Sequence, residues 1–354
     1  MESVIYYIKD AISKVASDIF IGAGRIIAYR IKGLITYIDA DKLSMEYSEL
    51  LIKELYTLAN RDYSIVTKTG NDDFSISIVG VTRLRVNTYK QRGSVAAVIR
   101  IVSYGVPDYR QLNIPENIIS IYKEKHGLVL VTGPAGCGKS TTLACLINAI
   151  NNSRQSHIIT LEDPIEFLYK DNLSLISQRE ISTDSDSYLK ALRACMRQSP
   201  DIILLGEMRD YETIKIAMTA AETGHLVIST LHTVSASSTV DRIIDVFPHE
   251  QQHQIRTQLS SVLRVVVSQR LMKSKSGGLI PSFEVMYNNS AIKNCIREGK
   301  IHQINTVIQT FKHEGMICMD NYIYSLLMKE YICEETALNS ATDIEYMKRI
   351  IMGI

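Results

Sequence analysis

Residues 133–140 read Gly-Pro-Ala-Gly-Cys-Gly-Lys-Ser, a Gly-x-x-x-x-Gly-Lys-Ser run. An apolar strand pattern at 128–131 enters it and a helix pattern at 141–148 leaves it. Glycines let the backbone curl until several N–H groups face one anion, and the helix N-terminus adds partial positive charge there. Lys139 is then placed to reach the β- and γ-phosphates of a nucleotide, and Ser140 to ligate Mg²⁺. Gly133, Pro134, Ala135, Gly136, Cys137, Gly138, Lys139, Ser140 and Thr141 are the candidate site for ATP–Mg²⁺. A thiol at a helix N-terminus, such as Cys137, is a candidate for a lowered pKa; the other reading is a small residue that fits the loop.

A strand–loop–helix of this kind needs a sheet covered on both faces. From residue 114 onward the chain alternates short apolar runs with helix patterns. The runs at 128–131, 158–161, 202–205, 226–228 and 265–267 lack period-two alternation, as strands of a buried parallel sheet do. Helix patterns fall at about 139–150, 186–197, 211–222 and 250–263, which is α/β layering. Beyond the loop at 273–278 the pattern is mostly helical, from about 288 to the end.

The first 105 residues read differently. Helix patterns at about 3–15 and 45–60 accompany strand patterns at 26–31, 74–81, 84–89 and 95–102, an α+β domain. A stretch at 103–114 holds Gly105 and Pro107, and 106–114 is the candidate linker between domains 1–105 and 115–354. With 354 residues, two domains also fit the usual ~150 residues per domain.

Composition excludes several classes. Hydrophobic residues at 46% and charged residues at 22% suit a globular core, and a net charge of +1 gives no overall basic footprint for nucleic acid. No apolar run nears the ~20 residues of a membrane span. Glu2, Lys9 and Asp10 break the first apolar stretch, unlike a signal peptide. Cysteines at 137, 145, 195, 295, 318 and 333 form no C-x-x-C pair, so zinc and disulfide frameworks are not expected and a reducing cytoplasm is.

Acidic groups stand where strands end. Glu162, Asp163 and Glu166 follow the 158–161 run, and Gly206-Glu207 follow 202–205. The carboxyl edge of a parallel sheet is where phosphate and metal ligands gather. Gly206 takes the place where many Walker B motifs carry a metal-linked Asp, so Glu207 acts alone there or Mg²⁺ draws on Glu162 or Asp163. His225 begins the next strand pattern and His232 ends it, which puts His232 on the edge with Glu207. A neutral imidazole there is placed to bond Glu207 or sense a γ-phosphate.

In the first domain, a turn centred on Arg92-Gly93 makes paired positions sum to 185. Val86 then opposes Ile99, and Arg85 opposes Arg100 on the other face. Opposed like charges destabilise a sheet unless an anion or carboxylate lies between them. A nucleotide phosphate from another subunit is one such anion; two solvated arginines on an open face are the alternative.

These residues resemble the secretion-ATPase superfamily, and within it the PilT family of type IV pilus retraction ATPases. The resemblance rests on 128–143, 162–167, 193–201, 206–210 and 219–233, with subgroup matches at 16–18, 83–87 and 291–300. It implies a hexameric ring of RecA-like P-loop ATPase domains, each preceded by a smaller PAS-like α+β domain, with nucleotide between the two. It implies Glu162, Asp163 and Glu166 as an Asp box and Glu207 as the catalytic glutamate. It also implies His225 and His232 as a His box, and Arg85 and Arg100 as arginine fingers. Residues 291–298 match a segment required for retraction. The implied partners are other copies of the chain and an inner-membrane pilus platform protein, with no nucleic acid. Attachment to the cytoplasmic face of the membrane would run only through partners. Departures are Phe20, where a histidine is common, Lys293 for arginine, Cys295 for leucine, and Cys137. Pilus assembly and type II secretion ATPases are the nearest alternatives, but they carry extra N-terminal domains and usually a four-cysteine insertion. A RecA-like nucleic-acid motor would want a basic stripe or stacking platform; this chain has no Trp and interleaves its bases with acids.

Overall fold

A computed structural model describes residues 2–31, 33–38, 41–78, 80–102, 105–208 and 210–353. Arg209 of the 206–210 motif, and positions 103 and 104 before the candidate linker, lie outside them. The chain divides into two compact units, Met1–Gly105 with Glu166–Leu168, and Val106–Ile165 with Tyr169–Ile354.

The first unit is built on an antiparallel sheet of strands β1 (Ala16–Gly22), β2 (Ala28–Ile31), β3 (Leu34–Tyr37), β4 (Asn71–Ile78), β5 (Thr82–Gln91) and β6 (Ser94–Val102), in the order β3-β2-β1-β6-β5-β4. Helix Val4–Ser13 buries Val4, Tyr7, Ile8 and Ala11, and helix Met45–Leu58 buries Leu51, Ile52, Leu55 and Tyr56. This spacing gives each helix one apolar stripe. Ser44 caps the second helix by accepting from the Tyr47 amide at 3.1 Å. Both stripes pack with Ile19, Leu84, Val86 and Ile99 from one face of the sheet.

The β5–β6 hairpin turns on Arg92 (φ 47°) and Gly93 (φ 79°). Two left-handed residues make the turn whose twist suits a two-residue hairpin. Val86 pairs with Ile99 and Arg85 with Arg100. Strands β1 and β3 and the helix Ser64–Thr69 had no clear signal. All four residues of β3 are exposed, so nothing imposes alternation on it.

The second unit holds β7 (Gly127–Thr132), β8 (His157–Glu162), β9 (Leu175–Glu180), β10 (Ile202–Leu205), β11 (Leu226–Leu231), β12 (Leu263–Lys273) and β13 (Leu279–Tyr287). The order is β13-β12-β7-β11-β10-β8-β9, parallel throughout except for the antiparallel pair β12–β13. Alternate residues of the same strand enter two separate cores. Leu128, Leu130, Ile159, Ile203 and Val227 face one, and Val129, Val131, Ile158, Ile202 and Ile228 the other. Burial on both faces is why these runs read as continuously apolar. Edge strands β9 and β13 and helix Ala236–Asp245 escaped the sequence reading. After β13 the elements are helical, from Ser290–Arg297 to Ile344–Met352.

Candidate functional site

The 133–140 loop joins β7 to helix Lys139–Asn151. At Gly133 the backbone is left-handed (φ 144°), and a Cβ would lie 2.2 Å from Gln269 O and 2.7 Å from Cys137 Sγ. Only glycine fits there. Gln269, on β12, ties the loop down: its Nε2 donates to Cys137 O at 2.7 Å and its Oε1 accepts from Thr142 Oγ1 at 2.7 Å. Sequence reasoning missed this residue; a polar pair, Ser268-Gln269, following an apolar run was the one available signal.

Lys139 is 9% exposed, and its ammonium donates to Gly133 O at 2.8 Å and Pro134 O at 3.0 Å. A buried cation at a helix N-terminus, inside a glycine loop, fits a phosphate group. For Cys137, burial pushes the pKa up, outweighing the pull of Lys139 and of backbone amides, in line with the reading of a small residue that fits the loop.

Registry sets the carboxyl edge. Thr132 of β7 lies level with Leu231 of β11, so Gly133 and His232 leave adjacent strands together. Glu207 follows β10, the next strand, and its Oε2 lies 3.3 Å from His232 Nε2. The structure thus brings Glu207 and His232 together. At Gly206 a Cβ would meet the Tyr188 hydroxyl at 2.7 Å and Leu161 O at 3.2 Å. A tyrosine hydroxyl therefore occupies the room that an aspartate at this position would need, a contact no motif announces.

Glu162 ends β8, three strand spacings or about 14 Å from β7. Its Oε1 accepts from Thr160 Oγ1 at 2.6 Å and Gln178 Nε2 at 3.3 Å. Asp163 is exposed, and Glu166 falls in the first unit. Among the described residues no cluster of three His, Cys, Asp or Glu could hold a metal ion. Mg²⁺ commonly takes one or two protein ligands plus phosphate oxygens and water, so Ser140 beside the nucleotide phosphates would suffice, with a carboxylate acting directly or through water.

The structure does not bring His225 to this edge. It precedes β11, and a six-residue strand carries it about 20 Å from the phosphate-loop end. Its Nδ1 instead lies 3.0 Å from Ala220 O.

Arg85 and Arg100 each meet a carboxylate of their own unit. Arg85 Nη2 lies 2.8 Å from Asp73 Oδ2, and Arg100 Nε lies 3.1 Å from Asp18 Oδ1. Asp18 is buried and also pairs with Arg30 at 3.3 Å. The repulsion between opposed arginines is thus relieved by acids from β4 and β1.

A family model described as type II/IV secretion system protein matches residues 2–336. The chain is 42% identical over 327 residues to the type IV pilus retraction ATPase PilT of Pseudomonas aeruginosa, covering 92% of this chain and 94% of that one. It is 47% identical over 276 residues to a twitching motility protein of Neisseria gonorrhoeae, covering 78% and 74%. A crystal structure of the pilus retraction motor PilT with bound ADP superposes with a TM-score of 0.89 at 40% identity, over 99% of this chain and 100% of that one. The chain belongs to the type II/IV secretion system protein family.

Proposed function

We propose that this chain is a P-loop ATPase that powers retraction of type IV pili. The observation that carries the chemistry is the Glu207–His232 pair, 3.3 Å apart on the sheet edge that also carries the Lys139 loop. The family relation to retraction ATPases supports the biological role.

The 133–141 loop holds the phosphates of ATP. Lys139 exchanges the two loop carbonyls for phosphate oxygens, which costs little because one set of acceptors replaces another. Ser140 and one of the acids Glu162 or Asp163 would hold Mg²⁺, which would supply neutralisation of developing phosphate charge. Glu207 orients the attacking water and receives its proton, and His232 fixes the carboxylate's rotamer. Arg85 and Arg100 leave Asp73 and Asp18 to neutralise phosphate, coupling occupancy to domain movement. The chain works as a hexameric ring at the cytoplasmic face of the membrane, against a membrane platform protein of the pilus. No helix among the described residues is long and apolar enough to cross a membrane, which fits attachment through partners.

Glu207→Gln tests both levels. The purified variant is expected to bind ATP with near-normal affinity and to lose about 100-fold or more in turnover. Cells carrying it are expected to accumulate surface pili. Turnover within a few-fold of the parent would remove the role of Glu207; bald cells would point to assembly instead of retraction.

A further inference from the structure

One buried carboxylate has no part in the chemistry above. Glu284 lies on β13 and is 5% exposed. It accepts from the amide of Ala236 at 2.7 Å, the first residue of helix Ala236–Asp245. The amide of Met319, which opens helix Met319–Met328, also stabilises its charge. Burial pushes the Glu284 pKa up, while these two amides and Arg270 pull it back. A single carboxylate thus serves two helix N-termini, where negative charge is favoured.

Each helix leads somewhere of consequence. Ala236 stands four residues beyond His232. Over this stretch and the first turn of the helix, the hydroxyls of Thr233 and Thr239 meet at 2.6 Å, Thr239 Oγ1 donates to Ser235 O at 2.7 Å, and Ser235 and Ser238 form a capping box. The loop carrying His232 is therefore anchored by β11 at one end and by Glu284 at the other. On the opposite side, Asp320 accepts from the amides of Thr342 at 2.6 Å and Asp343 at 2.9 Å, where the last helix starts. Arg270 of β12 donates to Ser340 O at 3.0 Å in the same cluster.

We propose that Glu284 is a positioning residue: it holds the His232 loop against Glu207 and ties that loop to the C-terminal helices, so that the two settle or shift together. The proposal rests on the roles given above to Glu207 and His232.

Glu284→Gln keeps one acceptor oxygen, replaces the other with a donor and removes the charge that the two helix N-termini favour. In the purified full chain, kcat is expected to fall about tenfold with KM for ATP within about twofold, because the phosphate loop is untouched. His232→Ala is combined with it in a double-mutant cycle. The double variant is expected to be no slower than His232→Ala alone, since both changes disable one device. Losses that multiply would overturn the link while leaving His232 its role. A His232→Ala variant with unchanged kcat would remove that role and the link with it. A change confined to KM, or a folded Glu284→Gln with parental kcat, would overturn the proposal. Should Glu284→Gln fail to fold, Thr239→Val removes the other tie on the same loop. It is expected to lower kcat about threefold, again with no added loss beside His232→Ala, and unchanged kcat would overturn the link.

Discussion

Lys139 and the pair Arg85 and Arg100, the cations proposed above to meet phosphate, are kept in opposite ways. Lys139 is buried and bonded to two backbone carbonyls of its own loop. The arginines are more exposed, with side-chain exposures of 41% and 69%, and are held by the carboxylates of Asp73 and Asp18. Carbonyls carry only partial charge, so a phosphate outcompetes them easily and the lysine is ready before ligand arrives. Carboxylates are full charges that compete with phosphate on even terms. The Arg85–Asp73 pair, exposed on both sides, contributes ~0–1 kcal/mol, so it can open and close without threatening the fold, and the buried Asp18 keeps Arg30 when Arg100 leaves. The buried cation is suited to binding, and the exposed ones to switching.

Lys139→Ala should give the largest effect. A loss of roughly 10²–10³-fold in kcat/KM is expected, with nucleotide binding lost alongside, read by ATP hydrolysis and by titration with a fluorescent ADP. Retained binding would break the distinction between the two kinds of cation. Arg85→Ala and Arg100→Ala should each leave binding largely intact and lower ATP turnover about tenfold, below the ~10³–10⁵ of a full arginine finger because the second arginine remains. Full activity in both single variants and in the double variant would show that these arginines serve only their aspartates.

The smallest effect separates two thiols by the same logic. Hydrogen bonds from Thr336 lower the pKa of the exposed Cys333, whereas burial raises that of Cys137. At any pH below both values Cys333 holds the larger thiolate fraction, so it should react with iodoacetamide first. ATPase activity should stay unchanged until Cys137 is modified, as followed by peptide mapping. Early reaction at Cys137 would mean that its loop opens far more often than its packing suggests.

The parts of this molecule legible in the sequence are those fixed by neighbours along the chain. The phosphate loop is eight consecutive residues, and the arginine pairing follows from one turn. Glu207 and His232 could be brought to one edge because each ends an apolar run. Contacts made across the fold left no such trace. Gln269 reaches Cys137 from 132 positions away, and Tyr188 fills the space beside Gly206 from the start of helix Tyr188–Cys195. His225 is instructive in the other direction: the strand pattern already set it at the start of β11, while the family resemblance grouped it with His232. Edge strands β3 and β9 lack the two-sided burial that makes a strand visible, so their existence depended on neighbours that sequence does not name.

The hairpin turn at Arg92 and Gly93 has a consequence for how this chain tolerates change. Every pair between β5 and β6 depends on those two residues alone. One residue inserted after Gly93 would shift β6 against β5 by one position, sending the Arg100 side chain into the apolar core and Ile99 out to the open face. The turn therefore works like a reading frame. Substitutions at 85 or 100 would be local events, but a single insertion between them would scramble the whole strand, so the chemistry of the arginines can vary in evolution only while the spacing stays constant.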